Sequence, residues 1–450
     1  MASRGSLRGG KFNADAGRRP PDLRSKGALP SRWDYGLPSA FGLRSSVFPR
    51  KIPWQAGGAP RLVMGNPPPI MNRRRFISSS ATAALLGAGL VSQTLAANTM
   101  TTIESAPFGK LADGRSVTRY TLSNRHGMVA KILDLGCIIA ELHVPDRDGK
   151  SVNVVTGSDS LDYFAKGGPA ANIVGRFGNR IALAKFTLDG KEVAVTQNSG
   201  KHHIHGGRIG FDKKVWTARI VKQSGPEVVL ELRYRSADGE EGFPGNLDVT
   251  VTYTLNDANE LQINYRATTD KPTPVNLTNH AYFNLAGSGD ILGHVVTIHA
   301  DHFTKVDADL IPTGEIASLT ETDLDFRKPT SIGARYLKTG LKPSGYDHNY
   351  VLRPKAAGEL GLASRVTDPK SGRTMEVRTT EPGVQLYTAN HFSSDRPVVS
   401  LGGVSYGRHG ALCFETQKFP DSVNHANFPS CILRPGEELN STTVFAFSAK

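Results

Sequence analysis

The stretch LDVTVTYTL, Leu247 to Leu255, alternates without a break: Leu247, Val249, Val251, Tyr253 and Leu255 are separated by Asp248, Thr250, Thr252 and Thr254. A period of two sends the first set to one face of an extended chain and the second to the other, the pattern of a half-buried antiparallel strand. The same alternation recurs on either side, in VVLELRY from Val228 and ELQINYR from Glu260. In KFTLDGKEVAV, Lys185 to Val195, the pair Asp189-Gly190 stands between two further runs, a two-residue hairpin signal. Long helical periodicities are not visible, and turn clusters recur throughout. The pattern predicts an all-β fold, a large antiparallel β-sandwich of roughly 350 residues in a single domain over residues 98–450. No Gly/Ser linker divides that span and no internal repeat of fixed period runs through it.

Charge separates this body from what precedes it. The chain has 450 residues with 54 Lys and Arg against 41 Asp and Glu, a net charge of +13. Residues 1–75 hold 15 of the basic and 3 of the acidic side chains, so residues 76–450 carry only +1. A near-neutral body lacks the electrostatic footprint of a protein that grips phosphates along a groove, which excludes nucleic acid as its expected partner. Residues 1–70 are rich in Arg, Gly, Pro and Ser and show no period that could build a core. They are expected to be a low-complexity basic head, with residues 1–63 outside the biological reading frame if translation starts at Met64 or Met71.

Residues 71–97 read as an address. Arg73-Arg74 precede an apolar run from Ala81 to Val91, and Leu95-Ala96-Ala97 offers small residues for cleavage. This resembles a twin-arginine export signal, implying a periplasmic protein whose mature form starts near Ala97 or Asn98. The run is too short for a resident membrane-spanning helix, so no stable membrane insertion is expected. The cysteines are Cys137, Cys413 and Cys431, and an odd count argues against a disulfide framework.

Several segments put ionisable groups where strands should be plain. VNLTNHAYFNL, Val275 to Leu285, read as a strand, points Leu277, Ala281, Phe283 and Leu285 one way and Asn276, Thr278, His280, Tyr282 and Asn284 the other. In LCFETQ, Leu412 to Gln417, the same rule sets Cys413, Glu415 and Gln417 on one face. Each signal has a plain alternative when taken alone: His280 as a satisfied core histidine, Glu415 as a solvated strand residue, Arg180 as a surface ion-pair partner, Asp347 as an Asx-turn residue. The trio His202, His203 and His205 has ligand-type side chains, but without a nearby acidic or cysteine partner and followed by Gly206-Gly207 it reads as a tight turn and not as a metal site.

Taken in order, GRFGNRIALAKFTLDGK, HIHGGRIGFDKKVW, DGEEGFPGNL, NLTNHAYFNLAG, GYDHNY and LCFETQKFPDSVNHANFP resemble the aldose 1-epimerase family, the mutarotases. The resemblance runs from about Ala106 to the C-terminus. It implies the galactose mutarotase-like supersandwich, a β-sandwich whose concave face holds one monosaccharide, with no cofactor and no metal. It further implies Glu415 as catalytic base and His280 as general acid, His205 as a hydrogen-bond partner near the sugar ring oxygen, and Asn179, Arg180, Asp347 and Gln385 as groups that hold sugar hydroxyls. His202 stands where the family often has Asn, and His391 after YTAN is a second departure; both bear on substrate preference.

The chemistry explains the residue types. Opening a cyclic hemiacetal needs a base for the anomeric hydroxyl and an acid for the ring oxygen. A carboxylate is ionised at neutral pH, and imidazole titrates close enough to neutrality to give and recover a proton each cycle. The expected activity is interconversion of the α and β anomers of free hexoses such as galactose and glucose. A phosphorylated-hexose 1-epimerase would need extra basic groups in the cleft, a non-catalytic carbohydrate-binding module would not need Glu415 set against His280, and a glycoside hydrolase would need two carboxylates flanking one bond. Preferred sugar and oligomeric state are not legible in the sequence.

Overall fold

A computed structural model describes residues 100–450; the expected basic head 1–70 and the expected export signal 71–97 lie outside the described residues. Among the described residues, three antiparallel sheets dominate. The segment that opened the sequence reading lies inside the strand Leu247–Asn256, with every apolar position of the alternation buried. It pairs with Glu227–Ser236 on one side and Glu260–Thr269 on the other, in an unbroken register from Leu247↔Ser236 to Asn256↔Glu227. Because the period is two, a one-residue slip would turn the whole apolar row outward, and this fixes the register. These strands belong to a nine-stranded sheet that runs on through Leu439–Ala449, Arg373–Thr379, Gly361–Thr367 and Val295–Ile298.

A six-stranded sheet, including Thr101–Lys110, Ser116–Ser123, Val129–Leu133 and Ile139–Pro145, and a five-stranded sheet share one apolar core with it. Ile103, Leu122, Ile132 and Leu142 from the first, Leu230, Val251, Ile263 and Phe445 from the nine-stranded sheet, and Tyr350, Val384, Leu386 and Phe414 from the third all belong to that core. The predicted hairpin is present: Leu188 pairs with Lys191 across Asp189-Gly190, both at positive φ (48° and 78°), as a tight two-residue turn in a right-twisted ribbon requires. Among the described residues the α-helical content is one short helix, Leu161–Ala165, and Cys137, Cys413 and Cys431 are all buried free thiols. No helix of the described residues is long and apolar enough to cross a membrane.

One expectation fails in detail. Val275 to Leu285 is not a continuous strand with one wet face: only Thr278–Asn279 pairs in a ladder, with Ile173–Val174, and Phe283 makes isolated bridges to Val155 and Leu412. The segment threads between other elements and is buried nearly throughout. Its outer two polar residues serve the backbone. Asn276 donates to the carbonyls of Gly178 and Lys418 and accepts from the Lys418 amide. Asn284 donates to the carbonyls of Ser288, Gly289 and Gly410. A buried chain that lacks ladder partners must satisfy its neighbours through side-chain amides, which is why the asparagines are there.

Candidate functional site

The five-stranded sheet builds the floor of the site. Its order is Pro312–Ser318, Ala300–Val306, Asp347–Leu352, Gly383–Tyr387, Cys413–Gln417. Alternation sends Tyr350, Val384, Leu386 and Phe414 into the core and leaves Asp347, Gln385, Cys413 and Glu415 on the opposite face. Register brings them side by side: Gln385 lies directly opposite Glu415, and Asp347 opposite Tyr387. Gln385 donates through Nε2 to Asp347 Oδ1 at 2.6 Å, and Arg180 Nη2 lies 3.5 Å from Asp347 Oδ2. Carboxamide, carboxylate and guanidinium thus form one row.

Two loops place the other groups. Asn179, at φ 61°, turns the GNR segment so that its own amide donates to His205 Nδ1 at 3.2 Å while the His205 amide donates back to the Asn179 carbonyl. The Asn179 side-chain oxygen accepts from the Arg180 amide and from Arg180 Nη1, so much of its work is to brace Arg180. Asp421 holds the same segment from the far side: its amide donates to the Arg180 carbonyl and its carboxylate accepts from the Ala182 amide. Past His205, at φ 50°, the chain must pass close to another backbone, and a Cβ on Gly206 would sit 1.8 Å from the Gly175 carbonyl oxygen. Only glycine fits there.

His280 arrives from the threading segment, its amide donating to the Asn172 carbonyl. Its Nε2 lies 3.6 Å from Glu415 Oε1, and its ring meets His205 edge-on at 5.1 Å between centroids. One nitrogen of each histidine and an oxygen of Glu415 lie within 4.8 Å of one another. Glu415 is 2 % exposed, and its Oε2 has no hydrogen-bond partner; neither does Gln385 Oε1. A buried acceptor without a partner amid polar side chains is a place for a ligand donor.

Electrostatics set these groups apart. Burial raises the Glu415 carboxyl above the ordinary carboxylate range, offset in part by His280 and Arg180 and reinforced by the negative charge of Asp347. Burial pushes His205 well below the usual imidazole range, with His280 and Arg180 adding to the effect. His205 is therefore a neutral imidazole, and since its Nδ1 accepts from Asn179, its proton is on Nε2. The raised Glu415 gives a prediction: the acidic limb of kcat/KM for the reaction at this cleft is expected above pH ~4.3, the ordinary glutamate value, because a protonated carboxyl cannot act as a base. A pH–rate series checks it, and a limb at or below that value would mean that Glu415 is not the titrating base.

The sequence named Glu415, His280, His205, Asn179, Arg180, Asp347 and Gln385, and the fold brings all of them into one connected cluster. His202 and His203 go elsewhere. His202 Nδ1 accepts from the Leu183 amide and its Nε2 lies 3.3 Å from Asp309 Oδ2, while His203 is buried with Nδ1 on the Thr196 carbonyl. The three histidines of HHIHGG thus diverge. His391 is exposed, its ring stacked on Tyr387 and its amide donating to the Tyr387 hydroxyl. The sequence reading missed an aromatic wall: Tyr282 stacks on Phe392 at 5.2 Å, and both Tyr282 and Tyr387 contact the His280 ring. The tyrosine in GVQLYT shares a strand face with Gln385, and that alternation was the available signal.

Comparison with known proteins agrees with the geometry. A scan against protein families matches residues 118–446 to the aldose 1-epimerase family. The galactose mutarotase of Bos taurus is 45% identical over 352 residues, 78% of this chain and 99% of that protein. The aldose 1-epimerase of Escherichia coli K12 is 38% identical over 344 residues, 75% of this chain and 97% of that protein. Among solved structures, the GalM/aldose epimerase homologue of C. elegans matches with a TM-score of 0.64 at 33% identity, covering 72% of this chain and 96% of that one. Fold, ordered motifs and similarity over nearly the full length of these relatives agree, and the chain belongs to the aldose 1-epimerase family.

Proposed function

We propose that the cleft takes a free aldohexose in its ring form and that Glu415 and His280 carry out the anomer interconversion that makes this protein an isomerase. Glu415 takes the proton from the anomeric hydroxyl while protonated His280 gives the Nε2 proton to the ring oxygen. The bond between anomeric carbon and ring oxygen breaks, the aldehyde turns about its bond to the neighbouring carbon, and reclosure on the other face runs the transfers backwards. His205, neutral with its proton on Nε2, is a donor to the sugar near the ring oxygen. Arg180, Asp347 and Gln385 hold hydroxyls by charge-assisted hydrogen bonds and keep the open-chain sugar from leaving. Glu415 and His280 each exchange a proton with the sugar, which gives the clustered side chains their roles. The observation that carries this reading is the open Oε2 of a buried Glu415 beside His280 Nε2.

A free sugar is favoured over a phosphorylated one because Arg180 is already matched by Asp347. The pair presents a neutral fork suited to hydroxyls, whereas a phosphate wants net positive charge. Exchange spectroscopy between the anomers of galactose, glucose and a hexose 6-phosphate tests this: enhancement is expected for the free sugars and at least ~10-fold less in kcat/KM for the phosphate, a gap of about 1.4 kcal/mol in transition-state binding. Equal rates would reject the assignment.

We also propose export by the Arg73-Arg74 signal to the periplasm, supported by the paired arginines, the short apolar run and the small residues before Asn98. Replacing both arginines by lysine is expected to leave the protein uncleaved inside the cell. N-terminal sequencing of periplasmic material checks the cleavage point, and a processed periplasmic product from the double variant would contradict the export route.

A further inference from the structure

His280 is held at both ring nitrogens by residues two apart on one strand. Nε2 faces Glu415 Oε1 at 3.6 Å, and Nδ1 faces Cys413 Sγ at 3.5 Å, within reach of a hydrogen bond to sulfur. The two-residue period of Cys413–Gln417 delivers both side chains to the same face, so one strand addresses the two sides of one imidazole. Cys413 is wholly buried, and burial together with the charges of Glu415 and Asp347 pushes its thiol well above the ordinary range, so it stays an uncharged S–H.

The reaction restricts what can stand at Nδ1. An imidazole that gives up its Nε2 proton and ends neutral must keep its other proton on Nδ1, and that N–H needs an acceptor. A carboxylate there would stabilise the imidazolium and weaken it as an acid. A sulfur is a weak acceptor: it fixes which nitrogen keeps its proton while adding little to the grip on the charge.

We propose that Cys413 is a positioning residue for anomer exchange: Sγ accepts the Nδ1–H of His280, so that Nε2 is the nitrogen that trades a proton with the sugar ring oxygen. The proposal rests on the reading of His280 as the general acid. The other groups facing the ring are Glu415, His205, Tyr282 and Tyr387, with Arg180 and Asp347 beyond them.

The test compares Cys413→Ala, which removes the acceptor, with Cys413→Ser, which restores one, in the full-length protein. For Cys413→Ala, kcat for α-galactose is expected to fall about 10-fold, about 1.4 kcal/mol in barrier, with KM changed less than about 2-fold. The alkaline limb of the kcat–pH profile should move to lower pH, since the imidazolium loses a partner, and Cys413→Ser should recover most of both effects. A cavity alone would lower stability without moving the limb. Wild-type protein gives an independent reading: nitrogen-15 spectra should show a proton on His280 Nδ1 throughout the active pH range, and a bare Nδ1 there would overturn the proposal even if the alanine variant fails to fold. Wild-type kcat and pH profile in Cys413→Ala would also overturn it. Full activity in His280→Asn would instead remove the general-acid reading beneath it, so the two failures are distinguishable.

Discussion

Glu415→Gln is expected to cost at least ~10²-fold in kcat for anomer exchange, the usual range for a positioned base, with sugar affinity altered much less. The amide keeps the shape of the side chain and can still accept from an anomeric hydroxyl, but it cannot take the proton. Stability should move the other way. Burial raises the folded-state pKa of Glu415, so its charged form opposes folding: the stability it contributes is full below the ordinary carboxylate range and is lost as pH rises through the raised value. The glutamine variant is therefore expected to unfold at an equal or higher temperature than the wild type at pH 7, and that advantage should vanish towards pH 4. A variant that is inactive because it is misfolded would show the reverse, and calorimetry separates the cases.

His280→Asn is expected to produce a loss of similar size, again at least ~10²-fold in kcat, because without an acid the ring oxygen must leave as an alkoxide. Asparagine can donate a hydrogen bond but cannot transfer the proton. The double variant should lose less than the product of the single losses, since the two groups, 3.6 Å apart, act on the same ring opening and neither is useful alone. Strictly multiplicative losses would mean that they act in separate steps. Single-turnover and steady-state rates on all four proteins decide between these outcomes.

What could be read from the sequence was what is local. Alternation from Leu247 to Leu255 depends only on the two-residue period of a strand and predicted the buried row. The same rule set Cys413, Glu415 and Gln417 on one face before any partner was known. The Asp189-Gly190 turn was legible because its conformation is encoded in two residues. By contrast, the row Asp347, Gln385, Glu415 exists only through pairing of strands about 30 residues apart in sequence, and nothing in any one of them specifies the neighbour.

The polar alternation of Val275 to Leu285 misled because a side-chain amide that satisfies buried backbone has the same composition as one that lines a cleft. Asn276 and Asn284 do the first, whereas His280 does the second. The protonation pattern was also hidden. Whether His205 carries its proton on Nε2 depends on an amide at a positive-φ residue, Asn179, and the partner of His280 Nδ1 is a sulfur that alternation could place on the face but not against the ring. Family resemblance supplied the list of site residues; the geometry adds which of them lie against one another and which hold others in place, as Asn179 does for Arg180.

The central claim, that a buried carboxylate opposed to an imidazole opens and recloses a sugar ring, is tested most directly by polarimetry of freshly dissolved α-galactose with wild type and Glu415→Gln side by side. Rapid approach to the equilibrium rotation with wild type, and a rate within a few per cent of buffer with equal amounts of the variant, is the predicted result. Equal rates for the two proteins, or no acceleration by the wild type, would contradict it.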